Sequence, residues 1–448
     1  MAKPKKQKNG LGGRLWLAII VFCLFGQLAW GIENMYFNLF VYNTITTDPT
    51  VIADMVFASA LTATLTTLLM GALSDRMGKR KGFIVGGYIL WGFSTMAFAF
   101  ISVNNLEGLV GAASAVHVAS LVVIIMDCVM TFFGSAAYDA AFNAWVNDVS
   151  EENQRGRVEG VLGAVPLLGM MVIFVGFDGI TRAGRWDIFF MIIGGLVTLG
   201  GLLGVFLIKD SPKLQPKKDN FWRDITYGFR PAVVRENKLL YIALCAMGVL
   251  GISTQVAMPY RIIYMQHYLK IESYGILSLV ILLAASVISI IGGRIIDRMG
   301  KIKFIPYAVV LNIGGLLLMF FARSIGMVLL ANVITVGGNM LAMAALMALM
   351  RDYTPVDKAG HFQGIRMVFM VLIPMTIGPY VGAAVINNSG EFYEELGVLR
   401  QVPTPGIFMA SMLVLLLIVV PYIFLVRAGG KKAAAQEQPA AEEGDTNA

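Results

Sequence analysis

Cysteine, histidine and charge are what this chain has least of. Its 448 residues include three cysteines and three histidines, and only 14% are Asp, Glu, Lys or Arg. Cys23, Cys128 and Cys245 all lie inside apolar runs. An odd number of such thiols excludes a disulfide framework and offers no metal-ligand spacing. His117 and His267 stand near the ends of apolar runs and His361 in a polar link, so none reads as a proton relay. Also missing are a Walker loop, a G-x-S-x-G elbow, an H-E-x-x-H pair and any polar stretch large enough to hold a cofactor. The reading is therefore not an enzyme, without cofactor or metal, and not a self-contained ATP-driven pump.

What is abundant is apolar sequence: 57% of residues, with a mean hydropathy of +0.72. The charges fall between apolar runs of membrane-crossing length. Twelve spans are expected, at 14–42, 53–74, 83–103, 118–146, 159–180, 187–208, 239–268, 272–297, 304–322, 326–350, 363–387 and 406–427. Helices are expected because lipid supplies no partner for free backbone groups and nothing alternates like barrel strands. The first run follows Lys3, Lys5, Lys6 and Lys8, but it is too long for a signal peptide and lacks a small-residue cleavage pattern, so it reads as a retained span.

The loops set the orientation. With the N-terminus inside, 29 of the 35 Lys and Arg fall on the cytoplasmic side and five outside, with Arg261 within a span. The formal charge of +7 thus reflects membrane topology rather than nucleic-acid binding. The expected layout is a cytoplasmic segment (1–13), a six-helix bundle (14–208), a central loop (209–238), a second bundle (239–427) and a disordered tail (428–448). In the central loop Phe221, Ile225 and Phe229 recur every four residues between cations, which suits a short helix on the cytoplasmic surface. Both termini are placed in the cytoplasm and the chain in the cell membrane.

Two internal repeats support the 6+6 split. G-A-L-S-D-R-M-G-K-R-K at 71–81 returns as G-R-I-I-D-R-M-G-K-I-K at 293–303, so Asp75 and Arg76 match Asp297 and Arg298. A quieter repeat aligns 147–160 with 351–364, matching Asp148 to Asp352 and Gly156 to Gly360. It falls between the fourth and fifth spans of each half.

Polar residues at membrane depth are few, and each is a candidate for a task. Gln27, Gly31, Asn34, Asn38 and Tyr42 share one face of the first span and read as cavity lining, with Glu33 to one side. The competing reading of Glu33 is a structural acid paired to a neighbouring helix. Asp127 lies about a third of the way down the fourth span, with Thr131, Gly134, Tyr138 and Trp145 following on its face. Binding and helix packing are its two readings. Asn332, Thr335 and Asn339 line one face of the tenth span and suit a hydroxylated solute or interhelical bonding equally. Arg261 lies in the outer half of the seventh span, after Met258-Pro259-Tyr260.

On these residues the chain resembles the major facilitator superfamily of secondary transporters. The likeness covers nearly the whole chain: twelve spans, a long central loop and the G-x-x-x-D-R-x-G-K loop in both halves. Within it, I-M-D at 125–127, F-N-A-W-V-N-D-V at 142–149, R-G-R at 155–157 and Y-G-F-R-P at 227–231 look most like the glycoside–pentoside–hexuronide:cation symporters and the sucrose transporter group. The resemblance implies an all-α membrane fold of two pseudo-symmetric six-helix bundles. It also implies that Asp127 accepts hydrogen bonds from sugar hydroxyls. By the same likeness Asp75 clamps the halves on the cytoplasmic side, through Arg155 or Arg157, while Glu33 and Arg261 meet near an outer gate. Where sodium-coupled members carry D-x-x-x-D-P-x-x-G, this chain has Ala63 and Thr67 at the acidic positions, which argues against sodium and leaves proton coupling or uncoupled movement.

The leading expectation is a monomeric secondary transporter in the lipid bilayer. It moves a small polar solute, a sugar or glycoside, by alternating access with proton coupling. Efflux of amphipathic compounds, suited by the many methionines and phenylalanines, is the second reading. A non-transporting membrane sensor or scaffold is the third.

Overall fold

A computed structural model describes residues 12–150, 155–211, 214, 216, 226–271, 273–355, 362–395 and 398–437. Among them, eleven helices are long and apolar enough to cross a membrane. The first is Gly13–Thr44, the second Pro49–Met77, the third Lys81–Phe100 and the fourth Ala112–Val149. The sixth is Trp186–Leu207, the seventh Lys238–Tyr268, the eighth Tyr274–Ile296 and the ninth Lys301–Phe321. The tenth is Ile325–Tyr353, the eleventh Gln363–Asn387 and the twelfth Gly406–Ala428. The expected fifth span is the helix Arg155–Gly176, which carries Pro166 and whose described apolar part is Val165–Gly176.

The loop chemistry sets where these helices stop and start. Gly78 and Gly300, the glycines three residues after Asp75 and Asp297, both take positive φ, at 61° and 84°. A side chain is strained there, so each copy of the motif needs glycine at the turn between two spans. Asp210 Oδ1 accepts from the backbone N–H of Arg80 at 2.7 Å and of Lys81 at 2.9 Å, capping the third span from far along the chain. Ser324 does the same locally for the tenth, accepting from Met327 N at 3.4 Å.

The chain divides into two compact units, one of Met1–Thr46 with Leu61–Asn220 and the other of Thr47–Ala60 with Phe221–Ala448. The first has an aromatic core in which Phe37, Phe40, Phe98, Trp186, Phe189 and Phe190 meet, with centroids 4.5–6.2 Å apart. Its third and sixth spans cross at Gly92 and Gly194. A Cβ on Gly92 would overlap the Gly194 carbonyl and the amide and hydroxyl of Thr198. Backbone cannot step aside, so Gly92→Ala is expected to cost about 1–3 kcal/mol by overpacking. A lowered apparent Tm of the purified protein checks this; an unchanged Tm contradicts the crossing.

In the second unit, Ser253 and Ser411 exchange hydroxyl bonds with each other's carbonyls at 2.8 and 2.6 Å, tying the seventh and twelfth spans. Segment Thr47–Ala60 is counted with this unit. There Tyr260 OH donates to Pro49 O at 3.1 Å and lies 2.9 Å from Pro379 O, and Tyr380 OH donates to Asp54 at 2.6 Å.

Three features differ from the sequence reading. An antiparallel hairpin, Phe392–Glu395 with Val398–Gln401, joins the eleventh and twelfth spans. The last helix runs from Val419 to Glu437, past the expected start of disorder at 428. Ala433–Ala435 with flanking Lys and Gln are strong helix formers and carry it on. The proposed surface helix over Phe221–Phe229 lies largely outside the described residues. What is described there is a 3-10 turn, Tyr227–Phe229, followed by the helix Pro231–Glu236.

Candidate functional site

Three of the candidate-bearing spans depart from regular α geometry at or near a candidate: Glu33 and Tyr138 lie in π turns, Arg261 just before one, and Asp127 and Thr131 in regular α-helix. π turns cover Glu33–Phe37 in the first span, Ser135–Phe142 in the fourth and Tyr264–Tyr268 in the seventh. A fourth covers Val368–Leu372 in the eleventh. Such turns re-aim side chains and gather at functional sites.

In the first unit the first and fourth spans meet at two levels. At the upper one, Thr131 Oγ1 donates to Glu33 Oε1 at 3.0 Å. Both are enclosed, Glu33 at 8% exposure and Thr131 at 0%. Asp127 lies one helical turn before Thr131 on the same face and is 1% exposed. Two buried carboxyl groups thus flank Thr131, whose hydroxyl bonds one of them, Glu33. At the lower level Gln27 Nε2 donates to Tyr138 OH at 2.8 Å, with Cys23 Sγ 3.6 Å from the same hydroxyl. Gly26 makes room for the Tyr138 ring, because a Cβ there would run into it.

The rest of the expected polar stripe on the first span is tied inward. Asn34 Nδ2 donates to Trp30 O at 2.7 Å and Asn38 Nδ2 to Asn34 O at 3.0 Å. Asn38 and Tyr42 are buried, and Gly31 faces Met170 and Ile173 of the fifth span. Spacing along a helix identifies a face but not what that face meets.

In the second unit the expected trio on the tenth span separates. Asn332 is buried, donating to Val328 O at 3.0 Å beside Met319 Sδ at 3.1 Å. Thr335 is buried against Gly315 of the ninth span and donates to Ala331 O at 2.8 Å. Asn339 faces the seventh span, where Thr254 Oγ1 donates to its Oδ1 at 3.0 Å. Arg261 follows the 3-10 turn Met258–Tyr260 and is half-buried.

The cytoplasmic motif in the first unit centres on a residue that sequence reading grouped with its neighbours. Arg80 is 3% exposed, whereas Arg76 and Lys79 are exposed. Its guanidinium bonds Asp75 and Ser74, and its Nε donates to Asp148 at 3.1 Å. The Arg155 and Arg157 side chains expected opposite Asp75 lie outside the described residues, as does that of Asp297; Arg298 is exposed. In the second copy Ile302 stands where Arg80 does, and the preceding Lys301 pairs with Asp352 instead. The two copies therefore join the same pair of elements with unequal strength. Truncating Arg80 leaves two carboxylates facing one another, so Arg80→Ala is expected to cost about 2–4 kcal/mol. For the more solvent-accessible pair of the second copy, Lys301→Ala should cost below about 1 kcal/mol. Equal shifts in apparent Tm for the two variants would contradict this asymmetry.

Comparison with known proteins places the fold. A family model described as Major Facilitator Superfamily matches residues 15–366 and 243–444. A D-xylose-proton symporter structure is 13% identical with a TM-score of 0.69, covering 91% of this chain and 97% of that one. The nucleoside transporter NupG is 14% identical with a TM-score of 0.60, covering 92% and 97%. A bacterial homologue of the human lysosomal transporter Spinster, inward-facing and occupied, is 12% identical with a TM-score of 0.66, covering 92% and 96%. At these identities the likeness carries the fold alone. No curated protein sequence matches the chain. With the family match spanning most of its length and an all-helical, multi-pass membrane fold beneath it, the chain belongs to the major facilitator superfamily.

Proposed function

We propose that this member of the superfamily is a secondary transporter of a small hydroxylated solute, a sugar or glycoside, moved by alternating access with proton coupling. The observation that carries the proposal is the enclosed group of Asp127, Thr131 and Glu33 between the first and fourth spans. A carboxylate accepts two hydrogen bonds from neighbouring hydroxyls, and aromatic side chains such as Tyr138 supply a stacking face for a ring. Gln27 on the first span, bonded to Tyr138, extends the polar lining, while Asn34 and Asn38 bond their own helix and serve packing in this reading. Asn332 and Thr335 serve packing in this reading. An acid held at membrane depth is also the natural proton carrier. The finer likeness to the glycoside–pentoside–hexuronide:cation symporters rests on the sequence stretches alone. Plasma-membrane placement with both termini inside rests on the lysine and arginine bias.

The gating part of the proposal pairs Glu33 with Arg261, so that protonation of Glu33 releases the pair and biases an outer gate. Exchanging the two residues is expected to restore uptake lost in either single variant but to alter its pH dependence. A double variant with wild-type pH dependence removes this role. Asp75 and Asp297, each followed by Arg76 or Arg298, remain the proposed cytoplasmic clamps, with Arg155 and Arg157 as partners for the first.

The test is uptake of labelled neutral and acidic sugars into proteoliposomes under an imposed pH gradient, a sodium gradient, or neither. Uptake driven by the pH gradient supports the proposal. Efflux of amphipathic dyes with no sugar flux supports the efflux reading, and no flux at all supports a sensor.

A further inference from the structure

The second span does not stay with its neighbours in sequence. Met1–Thr46 and Leu61–Asn220 form the first unit, while the stretch between them, Thr47–Ala60, is counted with the second. That stretch is continuous with the first unit at both ends and held by the second in between. Three polar ties and a ring contact hold it. Tyr380 OH donates to Asp54 Oδ1 at 2.6 Å, and Asn387 Nδ2 donates to Thr50 Oγ1 at 3.2 Å. The Phe57 and Tyr380 rings lie 6.4 Å apart. Thr50, Asp54 and Phe57 follow at spacings of four and three, so one helix face meets the eleventh span. Pro49 O accepts from Tyr260 OH of the seventh span at 3.1 Å. Ile52, Ala53, Met55 and Val56 of the same stretch are buried, which favours the held position.

Each of these ties has a substitute. Tyr260 is 0% exposed, and a buried hydroxyl is costly to leave without an acceptor. Its oxygen also lies 2.9 Å from Pro379 O of the eleventh span. A phenol has one proton to donate, so Pro379 O keeps it satisfied when Pro49 O moves away. Asp54 is half-buried, and Tyr380 and Asn387 are exposed. Asp54 stands near the start of the span, about 8 Å of helix rise past Pro49. Water at that end replaces their bonds. Release therefore strands no buried donor. Fixed helix packing is the plainer role for such bonds, but it does not require a second acceptor for Tyr260.

We propose that Thr47–Ala60 is a releasable strap, which closes the Pro49 end of the second span against the seventh and eleventh spans and swings free during the transport cycle. In the proposed orientation this is the outer end. The strap is separate from the Glu33–Arg261 pair and goes beyond the proposed function, and its first test needs no solute.

Ala53, 0% exposed within the strap, is replaced by cysteine in the full chain. Labelling of the purified variant by N-ethylmaleimide is followed at that peptide by mass, so Cys23, Cys128 and Cys245 do not interfere. Tyr380→Phe keeps the ring and removes the tie to Asp54. It is expected to speed labelling of the Ala53→Cys variant about fivefold, the shift that one net hydrogen bond allows. Gly92→Ala, which loosens the first unit, should leave the rate unchanged. A rate unmoved by Tyr380→Phe, or raised as much by Gly92→Ala, overturns the strap.

The second arm joins Thr50→Cys to Asn387→Cys with a short bifunctional methanethiosulfonate and measures uptake of labelled D-glucose and D-glucuronate into proteoliposomes. The joined protein should lose nearly all uptake and regain it with reductant, while wild type treated alike keeps its own. Full uptake by the joined protein overturns the strap and leaves the proposed function standing. No uptake of either sugar by wild type, with labelling still sped by Tyr380→Phe, tells against the proposed function and supports the strap.

Discussion

Asp127→Asn is expected to lower solute uptake by about 100-fold while leaving the protein folded. Asp127 is 1% exposed and lies one turn from Thr131, whose hydroxyl reaches Glu33 at 3.0 Å. A hydrogen bond to a charged group contributes about 1.5–3 kcal/mol, and each 1.4 kcal/mol is about tenfold in affinity. Asparagine keeps the shape but replaces one acceptor oxygen with a donor, so a solute hydroxyl meets N–H where it met a lone pair. The measurement is initial uptake in proteoliposomes, paired with the apparent Tm of the purified variant. Uptake lost at unchanged Tm assigns Asp127 to binding. Uptake lost with a marked fall in Tm assigns it to packing, and unchanged uptake removes it from the site.

The second large effect falls on Glu33. Glu33→Gln is expected to abolish accumulation driven by a pH gradient while leaving solute exchange between loaded vesicles within about twofold of wild type, the range of a near-neutral substitution. Glutamine resembles the protonated acid: it is neutral, and its carbonyl still accepts from Thr131. It cannot release a proton, so the protein can shuttle loaded solute but cannot couple the return step to the gradient. Asp139, half-buried beside Tyr138 on the fourth span, is the rival carrier. Accumulation lost in Asp139→Asn and kept in Glu33→Gln would move the proton there.

Much of this was legible in the residues. Apolar run lengths and one-sided cations carry the spans, because a bilayer tolerates little else. The twin D-R-M-G-K loops mark two positions where a turn needs glycine, and Gly78 and Gly300 both take positive φ. The Thr131–Glu33 contact was not legible, since it depends on which faces of two distant spans meet. Asn332 and Thr335 show the same limit: their spacing defines a face, and that face meets the ninth span. Arg80 was hidden among the four cations of residues 76–81, and only burial singles it out. The hairpin at 392–401 was missed because two four-residue strands give too short an alternation to stand out beside the spans.

The most direct measurement of the central claim is the external pH of a lightly buffered proteoliposome suspension when a transported sugar is added. Proton-coupled uptake predicts an immediate alkalinisation in wild type that is absent in Glu33→Gln. Sugar entry with no pH change in wild type would contradict proton coupling and leave a uniporter.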